Sequence, residues 1–316
     1  MGKHPFVSII IPCKEIDEYA KDCVKNCKKI KYDNYEIIIL PDQISEKHYG
    51  VQVISTGKVT PGKKRNIGIH NAKGDFCAFI DSDAYPKKDW LDNAMKYFED
   101  PEVGGVGGPG ITPKGDSLLQ RASGYVLSSF LMSKISSRYK FGSSRKTDDI
   151  HSCNFIVRKS VLEEIGGWNE KYWPGEDTLM CLSISKIGKK LVETSDTIVF
   201  HHRRPLFRKH LKQISQFGLH RGFFAKKFPG NSFKFTLFLP SLILLFLLFG
   251  SVFSLFNLLI KNLFIIFLVF YGITALIASI NKDIKTIIPV WFGIILTHII
   301  YGLFFLIGLT KRELKK

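Results

Sequence analysis

The sequence predicts an α/β domain on a mostly parallel sheet, followed by an α-helical membrane region. Short apolar runs such as VSIIIP (Val7–Pro12) and YEIIIL (Tyr35–Leu40) alternate with helical patterns. That is the signature of a parallel sheet covered on both faces. From Lys234 to Lys311 charge almost vanishes; Lys261, Lys282, Asp283 and Lys285 interrupt it. The 316-residue chain carries a formal charge of +17, most of it before that stretch. A basic soluble domain is therefore joined to a membrane domain, and a purely soluble protein is excluded.

The elements follow in order. Val7–Pro12 reads as a buried strand and Asp17–Ile30 as a helix. Tyr35–Leu40 is a second strand, ending at Pro41-Asp42, and Val51–Ser55 a third. Pro61–Asn71 opens with Pro-Gly and reads as a helix. DFCAFI (Asp75–Ile80) is a fourth strand, closed by Asp81-Ser82-Asp83, and Pro86–Phe98 is helical. Glycines at 104, 105, 107, 108 and 110 mark a strand edge where backbone can approach closely. Ser117–Ile135 has helical spacing, and Ser137–Asp149 reads as a polar, basic loop. Ser152–Arg158 is a strand, Lys159–Ile165 a short helix and Glu176–Ile187 a longer one. Leu191–His201 contains at least one strand.

Three apolar runs follow: Phe235–Ile260, Asn262–Ile280 and Thr286–Thr310. A helix needs about 20 apolar residues to cross a bilayer, so three spans are expected. Three spans place Lys311–Lys316 outside, against the positive-inside tendency. Pro240 and Gly250 could break the first run into a re-entrant segment. No secretory signal opens the chain, so the first 234 residues are expected on the cytoplasmic side of a multi-pass protein of the cell membrane. The expected domains are 1–230, with 201–230 a basic juxtamembrane segment, and a membrane domain at 235–310. The six cysteines lack zinc-ligand spacing and read as reduced thiols.

Candidate chemistry begins with Asp81-Ser82-Asp83. It stands at the carboxyl end of a strand, where open α/β sheets bind ligands. Two carboxylates so spaced can hold Mg2+ or Mn2+ against a diphosphate. The turns after the first two strands, Pro12-Cys13-Lys14-Glu15 and Asp42, lie side by side in a parallel sheet. Glu15 and Asp42 could take hydrogen bonds from a base or ribose, or could cap helices. In Gly175-Glu176-Asp177 a carboxylate could serve as a general base, or could complement a helix dipole. His201 and His202 precede a basic segment, and one of them could complete a metal or diphosphate site. His202, Arg203 and Arg204 carry charge suited to phosphate. Arg204, Arg208 and Lys212 share a face if the segment is helical. That stripe is placed to meet anionic headgroups or a lipid-linked phosphate. The bland alternative is a solvated basic face.

The ordered set VSIIIP, GKKRNIGIHNAKGDFCAFIDSD, SCNFIVRKSVLEEIGGWNE and PGEDTLMCL resembles the family 2 glycosyltransferases of the GT-A fold. The resemblance covers about residues 5–225. HHRRPLFRKHLKQISQFGLHRG followed by membrane helices looks like a membrane-anchored bacterial or archaeal subgroup. For matching positions the resemblance implies a nucleotide pocket lined by Pro12, Glu15 and Asp42. It implies Lys63 and Arg65 near the nucleotide or its diphosphate. Asp81 and Asp83 would hold the sugar nucleotide and its metal, Asn154 would face sugar or acceptor, and Asp177, beside Glu176, would be the base. The turns at Lys14-Glu15 and Pro41-Asp42-Gln43 depart from the family pattern and leave the nucleobase unspecified.

The activity so implied is inverting transfer from a nucleotide-sugar donor to an acceptor. The membrane anchor and basic junction favour a lipid-linked acceptor, in the synthesis of cell-envelope polysaccharide or glycan. Nucleic acid is not an expected partner. A nucleotidyltransferase would need a Gly-rich loop after the first strand, which Pro12-Cys13-Lys14-Glu15 lacks. A non-catalytic membrane scaffold would explain the charge but not the two acidic motifs.

Overall fold

A computed structural model of the chain describes residues 4–44, 50–140 and 144–314. Residues 1–3, part of the expected polar loop (141–143) and Lys315–Lys316 lie outside the described residues. Two compact units emerge: Met1–Ile111 with Lys140–His202, and Thr112–Tyr139 with Arg203–Lys315. The division differs from the expected boundary near 230–235. Residues 112–139 and 203–230 pack with the apolar helices because their buried side chains, such as Val126, Leu206 and Ile214, join clusters built from those helices.

The first unit begins with β1 (Val7–Pro12), α1 (Glu18–Cys27), β2 (Tyr35–Leu40), β3 (Gln52–Val53) and α2 (Pro61–Asn71). Next come β4 (Phe76–Phe79), β5 (Ala84–Pro86), α3 (Trp90–Tyr97), β6 (Val103–Gly107) and β7 (Gly110–Ile111). The chain then leaves for α4 (Leu118–Ser128) and a 3-10 segment, Phe130–Tyr139. It returns as β8 (Arg145–Thr147), β9 (Phe155–Arg158), α5 (Lys159–Ile165), α6 (Glu176–Lys186), β10 (Lys190–Glu193) and β11 (Val199–His201).

Among the described residues, eight strands form one sheet in the order β3-β2-β1-β4-β9-β6-β10-β8. Every residue of VSIIIP is buried, and the run divides between two cores. Ile9 and Ile11 pack with Cys23, Cys27 and Trp90 on one face; Ile10 packs with Ile69, Leu162 and Trp168 on the other. A strand covered on both sides has no polar face to show, hence the unbroken apolar run. Local signals set the helix starts. Asp17 caps α1 by accepting from Ala20 N–H, Thr60 caps α2 ahead of Pro61, and Ser117 with Gln120 forms a capping box on α4.

The mostly parallel expectation holds, with two reversals: the edge strand β8, antiparallel to β10, and the interior strand β9. β9 runs antiparallel to β4 and β6, Phe155 lying opposite Phe79 and Gly107. It enters at the carboxyl edge of the parallel strands and so brings Ser152 and Asn154 to that edge. Other boundaries shift. Val51–Ser55 contributes a strand of two residues, the helix expected from Pro86 starts at Trp90, and Ser117–Ile135 stops being α-helical at Ser128. Leu191–His201 resolves into β10 in the large sheet and β11 in a second sheet, β5-β11-β7. That small sheet forms where the glycine-rich edge meets returning chain. A Cβ on Gly108 would lie 1.9 Å from the Thr197 carbonyl oxygen.

The second unit continues with α7 (Arg208–Lys227), α8 (Pro229–Ser232), α9 (Phe235–Phe253), α10 (Leu258–Ser279) and α11 (Ile287–Thr310). Helices Phe235–Phe253 and Leu258–Ser279, and the stretch Ile284–Thr310, are each long and apolar enough to cross a membrane. Close approach of α7 to α11 requires glycine, because a Cβ on Gly222 would meet the Phe305 carbonyl oxygen at 2.0 Å.

Gly108→Ala tests the closure of the small sheet. Because backbone opposes the new methyl, the variant is expected to lose about 1–3 kcal/mol or more of stability, the scale of an overpacked core. Thermal unfolding of the purified protein measures it; an unchanged midpoint would mean that the backbone there yields freely.

Candidate active site

The carboxyl edge of β4 delivers Asp81 and Asp83. β5 then pairs antiparallel with β11, setting Ala84 opposite His201. This register carries His201 to the acidic turn, and its Nε2 lies 3.1 Å from Asp83 Oδ1. Donor atoms of Asp81, Asp83 and His201 all fall within 4.8 Å of one another, each residue half-buried. Two carboxylate oxygens and one imidazole nitrogen, converging and reachable from solvent, form a donor set that fits a divalent cation.

Behind this cluster stands Arg65, 2% exposed. Its Nη2 donates to Asp81 Oδ1 at 2.8 Å and to Ser152 Oγ at 3.0 Å; Nη1 donates to Glu176 Oε1 at 2.9 Å. The guanidinium lies over the Trp168 ring, 4.8 Å from its centroid. The resemblance implied a place for Arg65 near the nucleotide or its diphosphate. Arg65 is buried beside the acidic cluster and ties the β4 turn to the start of α6. Glu176 is likewise buried; desolvation pushes its carboxyl up to about 7 even with Arg65 beside it. It braces the site from within, through its bond to Arg65. Its neighbour Asp177 is half-buried in the first turn of α6. One oxygen, Oδ1, accepts from Thr178 N–H at 2.8 Å, and Oδ2 makes no hydrogen bond among the described residues.

On the other side of β1 lies the expected nucleotide pocket. Pro12 ends β1 and is buried, Glu15 is exposed, and Asp42 follows β2. Lys63 points outward, 4.0 Å from Glu170. The buried cation is its neighbour Lys64. Its Nζ donates to the carbonyls of Cys13 and Leu40, to Thr56 Oγ1 and, at 2.5 Å, to Asp42 Oδ1. Lys64 thus pins together the turns after β1 and β2. Sequence reasoning passed over it, although Lys64 and Arg65 precede Gly68 and Ile69 at the i, i+4 spacing of one buried helix face.

Asn154 lies inside the protein. It is wholly buried, accepts from Trp90 Nε1 at 2.8 Å, and donates to the Thr197 and Pro109 carbonyls. Three of the amide's four hydrogen-bonding positions are thus used within the protein to join the two sheets. Of the two histidines, His201 meets the acidic pair, while the His202 ring lies against Tyr19 and Tyr85. Alternation along a strand end separates them. A chain of contacts backs His201: Cys153 Sγ lies 3.2 Å from His151 Nδ1, and His151 Nε2 lies 3.0 Å from the Gly108 carbonyl. Burial would raise the Cys153 thiol, but the imidazoles of His151 and His201 bring it down to about 6.

The basic candidates belong to the second unit. Arg203 is buried, with Nε toward Thr112 Oγ1 and its guanidinium over Tyr139. Arg204, Arg208 and Lys212 are exposed. The shared helical face expected of these three fails for Arg204, because α7 begins at Arg208.

Comparison with known proteins adds a family. The model for glycosyl transferase family 2 matches residues 8–166. A dolichyl N-acetyl-alpha-D-glucosaminyl phosphate 3-beta-D-2,3-diacetamido-2,3-dideoxy-beta-D-glucuronosyltransferase of Methanococcus voltae is 26% identical over 245 residues, 70% of this chain and 74% of that protein. A pre-mycofactocin glycosyltransferase of Mycobacterium tuberculosis is 23% identical over 226 residues, 68% of this chain but 46% of that protein, so the chain spans about half of it. Among solved structures, the mannosyltransferase PcManGT from Pyrobaculum calidifontis, in complex with GDP-Man and Mn2+, shares the fold. Its TM-score is 0.65 at 16% identity, over 98% of this chain and 88% of that one.

Arg65→Ala would leave Asp81 and Glu176 facing each other across a buried gap. Breaking a buried ion pair costs about 3–5 kcal/mol, and a loss of that size is expected in denaturant unfolding. A variant as stable as the parent would show that Arg65 is not the brace.

Proposed function

Because the chain belongs to glycosyl transferase family 2, we propose that its sheet domain transfers a sugar, with inversion, from a nucleotide-sugar donor to a lipid-linked acceptor at the cytoplasmic face of a membrane. The carrying observation is the convergence of Asp81, Asp83 and His201 on one edge, joined through Arg65 to the turn that presents Asp177. A divalent cation held by those three residues supplies positive charge against the donor diphosphate. One imidazole among carboxylates favours Mn2+ over Mg2+, which takes an almost purely oxygen shell.

The chain's own residues supply the rest. The turns joined by Lys64, after β1 and β2, bind the nucleoside, with Asp42 and Glu15 as its acceptors. Asp177, through its free Oδ2, takes the proton from the acceptor hydroxyl. The acceptor oxygen then bonds to the anomeric carbon as the bond from that carbon to the diphosphate oxygen breaks. A single displacement needs no covalent nucleophile. Arg65 holds Asp81 and the first turn of α6 in fixed relation, so that base and donor site keep one geometry.

Two features favour a lipid-linked acceptor: the three apolar helices, and the Methanococcus voltae relative, whose name gives a dolichyl-linked sugar phosphate as its acceptor. Synthesis of a cell-envelope glycan is the setting this reading implies.

Asp83→Ala is expected to abolish Mn2+-dependent transfer and donor hydrolysis while leaving thermal unfolding close to that of the parent. Activity that survives in excess chelator would remove the metal from the reading. Asp177→Asn should lower kcat by about 10²–10⁴, the range of a lost general base, with donor affinity by calorimetry unchanged. Loss of donor binding instead would assign Asp177 to the donor side.

A further inference from the structure

The second unit distributes charge along the whole of its last apolar helix and not only at the two ends. α7 runs parallel to the second half of α11. His210 Nε2 meets Thr297 Oγ1 at 3.0 Å, Gly218 lies against Tyr301 and Phe305, and Gly222 against Phe305 and Leu309. At the end, Lys226 Nζ donates to the Leu309 and Lys311 carbonyls at 2.8 and 2.6 Å. α4 accompanies the first half, where Val126 packs with Val290 and Ile294. Just before α11, Arg121 Nε holds Asp283 Oδ2 at 2.7 Å. Charge therefore flanks α11 at its start, at its end, and at its middle, where exposed Arg208, Lys209 and Lys212 sit beside the His210–Thr297 contact. If α11 stood across a bilayer, these three would lie near the midplane, where ionised side chains are costly and rare.

The other two apolar helices are disposed differently. α9 meets α11 through its first turns: Phe238 on Phe305, and Ser241 Oγ donating to the Gly302 carbonyl. α10 meets it through its last turns: Tyr271 with His298, and Trp291 Nε1 donating to the Gly272 carbonyl. Between Leu244 and Ala275 no residue is buried. There the two helices touch each other, Phe246 on Phe267 and Gly250 against Phe264, and otherwise present apolar side chains outward. The near ends of α9 and α10 thus sit side by side along α11, and the rest of their hairpin, 245–274, has no buried residue. At 1.5 Å per residue α9 and α10 are about 28 and 33 Å long, matched to a hydrocarbon core of about 30 Å.

We propose that the α9–α10 hairpin is the part of this unit that enters the bilayer. α11 lies along the headgroup boundary with α4 and α7, and the C-terminus returns to the face from which α9 departs. Lys282, Lys285, Lys311 and Arg312 then join the basic run of α7 on one face, and Lys261 alone lies at the far end of the hairpin. That distribution obeys the positive-inside tendency, which three crossings would oppose.

All six native cysteines are buried in the sheet domain, so single cysteines report side. Lys227→Cys, Phe256→Cys and Glu313→Cys are introduced separately into the full chain. Sealed membrane vesicles are treated with a membrane-impermeant maleimide, with detergent-permeabilised vesicles and the parent protein as controls. The expected result is that positions 227 and 313 label from the same face and that 256 does not label from it. Labelling of 313 from the face opposite 227, or of 256 from the same face as 227, would overturn the proposal.

Discussion

One buried guanidinium holds the candidate active site together. Arg65 is drawn from the helix that covers the sheet, and it bonds a carboxylate from the β4 turn, another from the start of α6, and a serine that precedes β9. Each of those groups comes from a different stretch of the chain, and none contacts the others through backbone pairing. A charge so fully removed from water persists only when its partners are fixed around it. The planar, five-donor geometry suits several acceptors at once, which lysine does not offer. Fixing Glu176 fixes the first turn of α6 and hence the direction of Asp177. The same side chain limits how Asp81 can turn.

Lys64, the preceding residue, performs the parallel task one strand over. Adjacent residues on α2 thus serve two separate turns, Lys64 those after β1 and β2, Arg65 those after β4 and before α6. The helix can do this because Gly68 lets it approach Ile10 and Leu40 closely; a Cβ there would meet Ile10 Cγ2 at 2.6 Å. Small residues at the contact bring the two cations within reach of the carboxyl edge. The large sheet and its two apolar layers supply the stability; α2 converts that stability into a fixed arrangement of acids.

A similar economy governs the second unit. Glycines at 218, 222 and 308 allow α7 and α11 to pack backbone against backbone, and this contact carries a charged helix alongside an apolar one. Buried polar side chains such as His210 find partners within the unit, here Ser123 and Thr297. The apolar content of α11 therefore reflects burial against neighbours to a large extent, whereas that of α9 and α10 is mostly turned outward. Length and hydropathy do not distinguish the two situations.

Several features were determined by sequence alone. Unbroken apolar runs announced strands covered on both faces, the carboxylates at 81 and 83 followed one of them, and the loss of charge after Lys234 marked the apolar helices. These are local properties: a residue's solvent partition and its period along the chain suffice to state them. Tertiary structure decided everything that depends on a partner far away in sequence. β9 is reversed because of where the chain re-enters the sheet. The His201 ring reaches the Asp83 carboxylate because β11 registers with β5. Asn154 is withdrawn into the core because Trp90, Pro109 and Thr197 converge on it, and Lys64 rather than Lys63 points inward because of how α2 is rotated. A polar side chain carries no mark of whether its hydrogen bonds will go to a ligand or to a carbonyl forty residues distant. That choice is made by the packing that brings the carbonyl near.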